Sequence, residues 1–212
     1  MNIAWTIENE AGNRPDHVPE RFEDEQWIEG FDLVIHNHSI SRVRDQASLA
    51  ERIAGAHRDS GVPAVLIHGT MHFGRHVDQW HDFTGIVTRR HKDLRPREVR
   101  NLAPEHPIME GFGETWTPPV VELYIVESMR EGVTALADCH DPRSGNRHVV
   151  AWTHQYGKAP IFGTTLGHDN RTVAHETYLD MLERGVRWAL KQRAAAREAG
   201  KDEAADACED DE

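Results

Sequence analysis

The stretch Pro63–His72, PAVLIHGTMH, carries a short apolar run straight into a polar, glycine-containing turn. Ala64–Ile67 is continuously apolar and includes two β-branched residues, which is how a strand buried on both faces of a parallel sheet reads. His68-Gly69-Thr70 then forms a strand-to-helix turn, with a helix expected from near Met71 toward Phe83. Open α/β sheets bind ligands at the carboxyl ends of their strands, so this turn is the first place to look for a site. The same geometry presents the nucleophile in hydrolase elbows. Here Thr70 follows the glycine instead of preceding it, and neither Cys139 nor Cys208 is near. Amidotransferase and serine-hydrolase chemistry are therefore not expected.

Working outward toward the amino terminus, Ser48–Arg58 has a helical period through Leu49, Ile53 and His57, and Phe31–Asn37 (FDLVIHN) reads as the preceding strand. Glu8–Glu29 reads as a polar loop with a helical turn near Phe22–Trp27. Asn2–Ile7 reads as a strand with nothing before it. The expectation is a reading frame that extends upstream by roughly 25 to 40 residues, because a βαβ unit needs ~30 or more.

Toward the carboxyl terminus, Val77, Trp80, Phe83 and Ile86 mark a core-facing helix, closed by Gly85. The basic run within Val87–Arg100 reads as solvated strand and loop. In the strand Val120–Val126, alternation puts Glu122 and Tyr124 on one side and Val121, Leu123 and Ile125 on the other. Gly132–Cys139, Val149–His154 and Pro160–Thr165 follow as strands, with turns at Asp141–Asn146 and Tyr156–Lys158; the last strand ends in Leu166-Gly167-His168-Asp169. Thr177–Leu190 is a helix with a stripe of Tyr178, Met181, Leu182, Gly185, Val186 and Ala189. Residues 1–190 form one domain. Lys191–Glu212 is acidic without an apolar stripe, so it reads as a frayed or disordered tail that adds little to folding.

A formal charge of −12 argues against nucleic acid and against anionic membrane surfaces, which need a basic face. No apolar run approaches the ~20 residues of a membrane helix and no signal peptide is evident, so a cytoplasmic location and a small ligand are expected. Fifteen histidines are the one compositional excess.

His36, His38, His68 and His168 all follow strand runs, which places them at one sheet edge where they could converge. Histidine titrates nearest neutrality, so such a group suits proton transfer, with Glu122 as a carboxylate partner. The catalytic candidates are His68, His168, Glu122 and His72. The substrate-side candidates are His36, His38, Gly69, Thr70, Tyr124, Asp169 and Trp116, the last as a stacking platform for a sugar. Trp80, Phe83, Trp152 and Trp188 read as core, and His57, His76, His81, His140, His148 and His175 as structural residues that cap strands or bond to backbone, with His57 and His175 on helix surfaces. A competing use is a divalent metal: His68 and His72 lie four apart across the turn, and Glu122 or further histidines could complete a tetrahedral or octahedral set. No HExxH or paired CxxC pattern supports it, so the cofactor stays open.

The segment Ala151–Val173, AWTHQYGKAPIFGTTLGHDNRTV, resembles a hallmark segment of the ThuA-like family. IHGTMHF, Trp80, Phe83, His91, His106-Pro107-Ile108 and Glu122-Leu123-Tyr124 resemble further landmarks in the right order, covering most of Phe31–Leu190. Val121 and His154 depart from the family pattern. The resemblance implies an α/β, flavodoxin-like three-layer sandwich with a mostly parallel sheet, related to class I glutamine amidotransferases and here lacking the first strand and helix. It implies a role in sugar catabolism. The resulting expectation is His/Glu acid–base chemistry, as isomerisation, elimination or hydrolysis, on a sugar or keto-sugar derivative. The alternatives are a non-catalytic sugar-binding or accessory subunit of a sugar oxidoreductase, and a metal-dependent hydrolase. A small carbohydrate is the expected ligand, with a homo-oligomer or a sugar dehydrogenase partner left open.

Overall fold

The computed structural model describes residues 3–7 and 17–209, with side chains through residue 200. At its centre, strand β2 (Ala64–Ile67) is buried at every position. Ala64 and Leu66 enter one apolar cluster, Val65 and Ile67 a second. Successive strand side chains point to opposite faces, so both faces of this strand must be covered. On one face lie α1 (Gln46–Ser60), through Leu49 and Ile53, and α2 (Asp78–Thr84), through Trp80 and Phe83. On the other lies α4 (Glu176–Glu209), through Tyr178 and Met181. The result is the three-layer α/β sandwich expected from the sequence.

The main sheet has seven strands. β1 (Val34–His36), β2 and β9 (Ala159–Thr164) pair in parallel. Beyond β9 the order continues through β8 (Arg147–Tyr156), β7 (Thr134–His140), β4 (Val99–Asn101) and β5 (Thr115–Trp116), all antiparallel. The hairpin turns read at Asp141–Asn146 and Tyr156–Lys158 account for two of these reversals. β3 (Ile86–Arg95) and β6 (Val121–Met129) form a separate antiparallel ribbon. A four-residue α3 (Asn170–Val173) precedes α4.

Several local expectations change. The continuous helix from Met71 is instead a 3₁₀ turn over His68–His72 followed by α2 from Asp78. Gly74 between them takes φ 59°, a left-handed conformation that interrupts a helix. Gly85 does close α2, with φ 79°. Residues 3–7 form no strand. Ile3, Trp5 and Ile7 are exposed, and among the described residues no strand pairs with this segment to give it a ladder. Part of the loop read at Glu8–Glu29, residues 8–16, lies outside the described residues.

The segment beyond Leu190, read as frayed helix or disorder, takes the helical alternative, but Arg193 departs from the expectation of a tail without contacts. α4 continues helical past Leu190, and Arg193 is buried, donating from Nη1 to the carbonyls of Phe31 (3.0 Å) and Asp32 (2.6 Å). Phe31 and Asp32 lie just before β1, so this side chain ties the helix to the sheet edge. Arg193→Ala leaves two carbonyls without their donor and should cost about 1–3 kcal/mol, read as a lower midpoint in urea. Truncation after Ala196, which keeps Arg193 and removes the exposed residues 197–200 with everything beyond them, should cost much less. Equal losses in the two proteins would return the effect to helix length rather than to Arg193.

α4 meets the sheet at Gly185, where an added Cβ would lie 2.1 Å from Phe162 Cδ1 of β9. Gly185→Ala would gain helix propensity, yet Phe162 is fully buried and has no free side to move toward. Overpacking of this kind costs about 1–3 kcal/mol, so calorimetry should show a net destabilisation. A raised melting temperature would mean that the helix can shift outward freely.

One histidine expected on a helix surface, His57, is inside. His57, His81 and His148 are buried, as is His36. His57 Nδ1 lies 2.6 Å from the Val62 carbonyl, which can only accept, so Nδ1 carries the hydrogen. Its Nε2 is then a lone pair and accepts from His36 Nε2 at 2.9 Å. Both rings sit against Trp27 and Phe83. His38 packs on Phe22 and Phe73, with both ring nitrogens buried and unpartnered among the described residues. Burial lowers His36 well below the usual imidazole range and brings His38 and His57 to about 4.

Candidate active site

β2 delivers His68 to the carboxyl edge of the parallel strands, and the chain bends there at once. His68 has φ 36°, the one positive value outside glycine among the described residues. Such a conformation costs about 1–3 kcal/mol in a non-glycine residue and persists only where the surroundings fix it. Part of that fixing is a 2.8 Å contact from His68 Nδ1 to the carbonyl of Thr165, at the end of β9. Since a carbonyl only accepts, Nδ1 holds the hydrogen and Nε2 faces the site. Gly69 supports the bend, because a Cβ there would stand 3.1 Å from the His38 carbonyl.

His68 Nε2 lies 3.0 Å from His168 Nδ1 and 3.3 Å from Glu122 Oε2. His168 Nδ1 is 3.5 Å from the same carboxylate oxygen. The other oxygen, Oε1, is 2.9 Å from His91 Nδ1. Glu122 therefore bridges two histidine groups. It reaches them because β6 buries Val121, Leu123 and Ile125 in the apolar cluster beneath α4, which turns Glu122 and Tyr124 to the opposite face. The ribbon register sets His91 across from Tyr124.

The Tyr124 ring forms the wall shared by His68, His72 and His91, with centroids 5.3, 5.4 and 5.8 Å away. Its hydroxyl is buried and unpartnered among the described residues, and burial pushes the phenol well above its usual range. His72 lies 5.0 Å from His91, ring to ring. The His68 and Glu122 side chains are 12% and 11% exposed, against 37% for His91 and 38% for His168. The centre is thus sheltered at its floor and open at its rim. Burial works to raise the Glu122 carboxyl, but with the neighbouring rings protonated the His68 hydrogen bond and the charges of His91, His68 and His168 outweigh it and hold it below the usual range. Burial lowers His72, helped by the charge of His91.

The structure brings His68, His72, His168, Glu122 and Tyr124 together. Gly69 holds the bend beside them, and the other candidates go elsewhere. His36 and His38 turn into the α1 side of the core, where α1 and the 3₁₀ turn at Glu20–Glu23 cover them. Thr70 is fully buried, donates to the His36 carbonyl at 2.8 Å and so latches the turn. Asp169 caps α3, accepting from Arg171 N at 2.9 Å and pairing with the Arg171 side chain. Trp116 packs on Phe112 and His175, away from the histidine centre. Cys139 is fully buried in β7 and its thiol is pushed up to about 11 by burial, the opposite of what a nucleophile needs.

Reading the sequence for a site missed His91. It lies in the basic run within β3, and only the pairing of β3 with β6 turns it toward Glu122. Its appearance among the landmarks of the resemblance was the one available signal.

A family model for ThuA, described as trehalose utilisation, matches residues 7–189. No curated protein matches the chain. Among solved structures, a ThuA-like protein from Parabacteroides merdae has 17% identity and a TM-score of 0.64 over 77% of this chain and 71% of that one. A ThuA-like protein from Bacteroides uniformis has 13% identity and a TM-score of 0.64, over 81% and 75%. A GMP synthase subunit from Thermoplasma acidophilum has 13% identity and a TM-score of 0.57, over 85% and 82%. At these identities the likeness concerns the fold.

Proposed function

Because the chain belongs to the ThuA (trehalose utilisation) family, we propose that it is a cytoplasmic enzyme of sugar catabolism that moves a proton at a carbon beside a carbonyl of a keto-sugar derivative. Isomerisation and elimination both begin with that step. The observation that supports this most is the bridging carboxylate: Glu122 touches His68 and His168 through one oxygen and His91 through the other. One member of such a group can take the proton while another returns one to oxygen. His68 is suited to accept, since its Nδ1 hydrogen is engaged by Thr165 and its Nε2 lone pair faces the site. His168, the most exposed of the set, is suited to meet the ligand.

The test is turnover of a panel of 3-keto-glycosides and their parent sugars by purified protein, with product followed by NMR. A keto-sugar should be consumed and the parent sugar left intact. A ligand that protects the protein from heat saturably while no product forms would favour the accessory, sugar-binding role instead.

A further inference from the structure

The His68–His168–Glu122 contacts raise a question that protons answer poorly. His68 Nε2, His168 Nδ1 and Glu122 Oε2 lie mutually 3.0, 3.3 and 3.5 Å apart. The Thr165 carbonyl holds the hydrogen of His68 on Nδ1, so the neutral ring presents a lone pair to a carboxylate oxygen. With both rings neutral, a hydrogen on His168 Nδ1 is shared with one neighbour and a pair of lone pairs still repels, so the contacts need either a second proton, on His68 Nε2, or a cation. A single cation attracts all three donors at once.

The spacing suits that. Metal–ligand bonds of about 2.0–2.1 Å give donor–donor edges of about 3.0 Å in an octahedron and about 3.4 Å in a tetrahedron. The fixed hydrogen of His68 matches the outer contact of a metal-bound histidine, whose second nitrogen donates to a carbonyl and aims the ligating one. We propose that His68 Nε2, His168 Nδ1 and Glu122 Oε2 bind one divalent ion of the Zn²⁺ or Mn²⁺ class, three protein ligands that leave a position open toward solvent.

This inference rests on the reading of the cluster as the active site and reassigns two of its members. Three protein ligands with an open position are the pattern of catalytic zinc. An ion there polarises a carbonyl oxygen, while His91 and His72, on the other side of Glu122, carry the proton. His72, His91 and Glu122 also offer donor atoms within 4.8 Å of one another. Loading the ion onto neutral rings and a carboxylate displaces whatever proton the three share, so uptake releases protons.

The experiment uses full-length protein purified without a histidine tag, stripped by chelation and dialysed against Zn²⁺ or Mn²⁺. One equivalent should bind, with proton release in weakly buffered solution. His168→Ala alters an exposed side chain that packs into neither core cluster, so it should keep the fold by circular dichroism and bind the ion at least about tenfold more weakly. A wild-type protein that retains no more ion than His168→Ala overturns the site. If that ion-free protein still turns over a keto-sugar, the proton-transfer reading stands without the metal. Stoichiometric ion with no turnover of any keto-sugar leaves the site intact and removes the proposed reaction.

Discussion

Replacing His68 with glutamine should lower turnover of a keto-sugar by about 10² to 10⁴, the usual contribution of a positioned proton-transfer group. The loss is expected whether His68 carries the proton or holds an ion that polarises the carbonyl. Glutamine preserves much of the size and can still donate to Thr165. Its weakness is the backbone, because His68 sits at φ 36° and glutamine adopts that region poorly. His68→Asn serves as the fold control, since asparagine is among the residues most tolerant of it. Both variants should lose turnover alike, and a melting temperature close to wild type in the asparagine variant would separate chemistry from folding. His76→Gln, at an exposed position before α2, should keep full activity. Activity within a few-fold of wild type in both His68 variants would reject the assignment.

The second large effect is acid instability from the buried histidines beside α1. His38 and His57 have folded-state values near 4 and an ordinary value of 6.5, with burial as the leading cause for each. For a base whose folded value is depressed, the unfolded chain binds the proton first. Stability is therefore complete above about pH 6.5 and falls as pH drops toward 4. The loss comes to about 3 kcal/mol per group by pH 4, and His36 adds to it in the same direction. Such a sum is a large part of a typical domain's stability, so urea midpoints should collapse between pH 6.5 and 4. His38→Leu removes one titrating ring whose nitrogens have no partner, so it should gain stability at pH 5 relative to pH 8. An unchanged pH slope in that variant would show that other groups govern acid unfolding.

Much of this architecture can be read from the chain. β2 announces itself as a doubly buried strand, the glycine after it marks the edge where ligands bind, and the alternation in β6 turns Glu122 and Tyr124 together. The resemblance supplied the layer order. What escaped is what depends on docking. His36 and His57 meet only because α1 lies across β1, and nothing in FDLVIHN says that the histidine faces a helix instead of solvent. His91 is hidden within a basic run, and its partner is set by a ribbon register with shifts between Thr88 and His91 and again before Leu94. Arg193 looks like one more tail charge until the helix carries it to the carbonyls before β1. Trp116 sits in a polar, proline-rich stretch that reads as exposed, yet it packs against Phe112 and His175.

On the proposed function, the histidines around Glu122 move a proton to and from a sugar carbon. Incubating a 3-keto-glycoside with the protein in D₂O and following the ligand by NMR tests this whatever product forms. Solvent deuterium should appear at the carbon next to the carbonyl faster with wild-type protein than without it, and Glu122→Gln should fall back toward the uncatalysed rate. Deuterium uptake at the uncatalysed rate under saturating binding, or at the wild-type rate in Glu122→Gln, would contradict it.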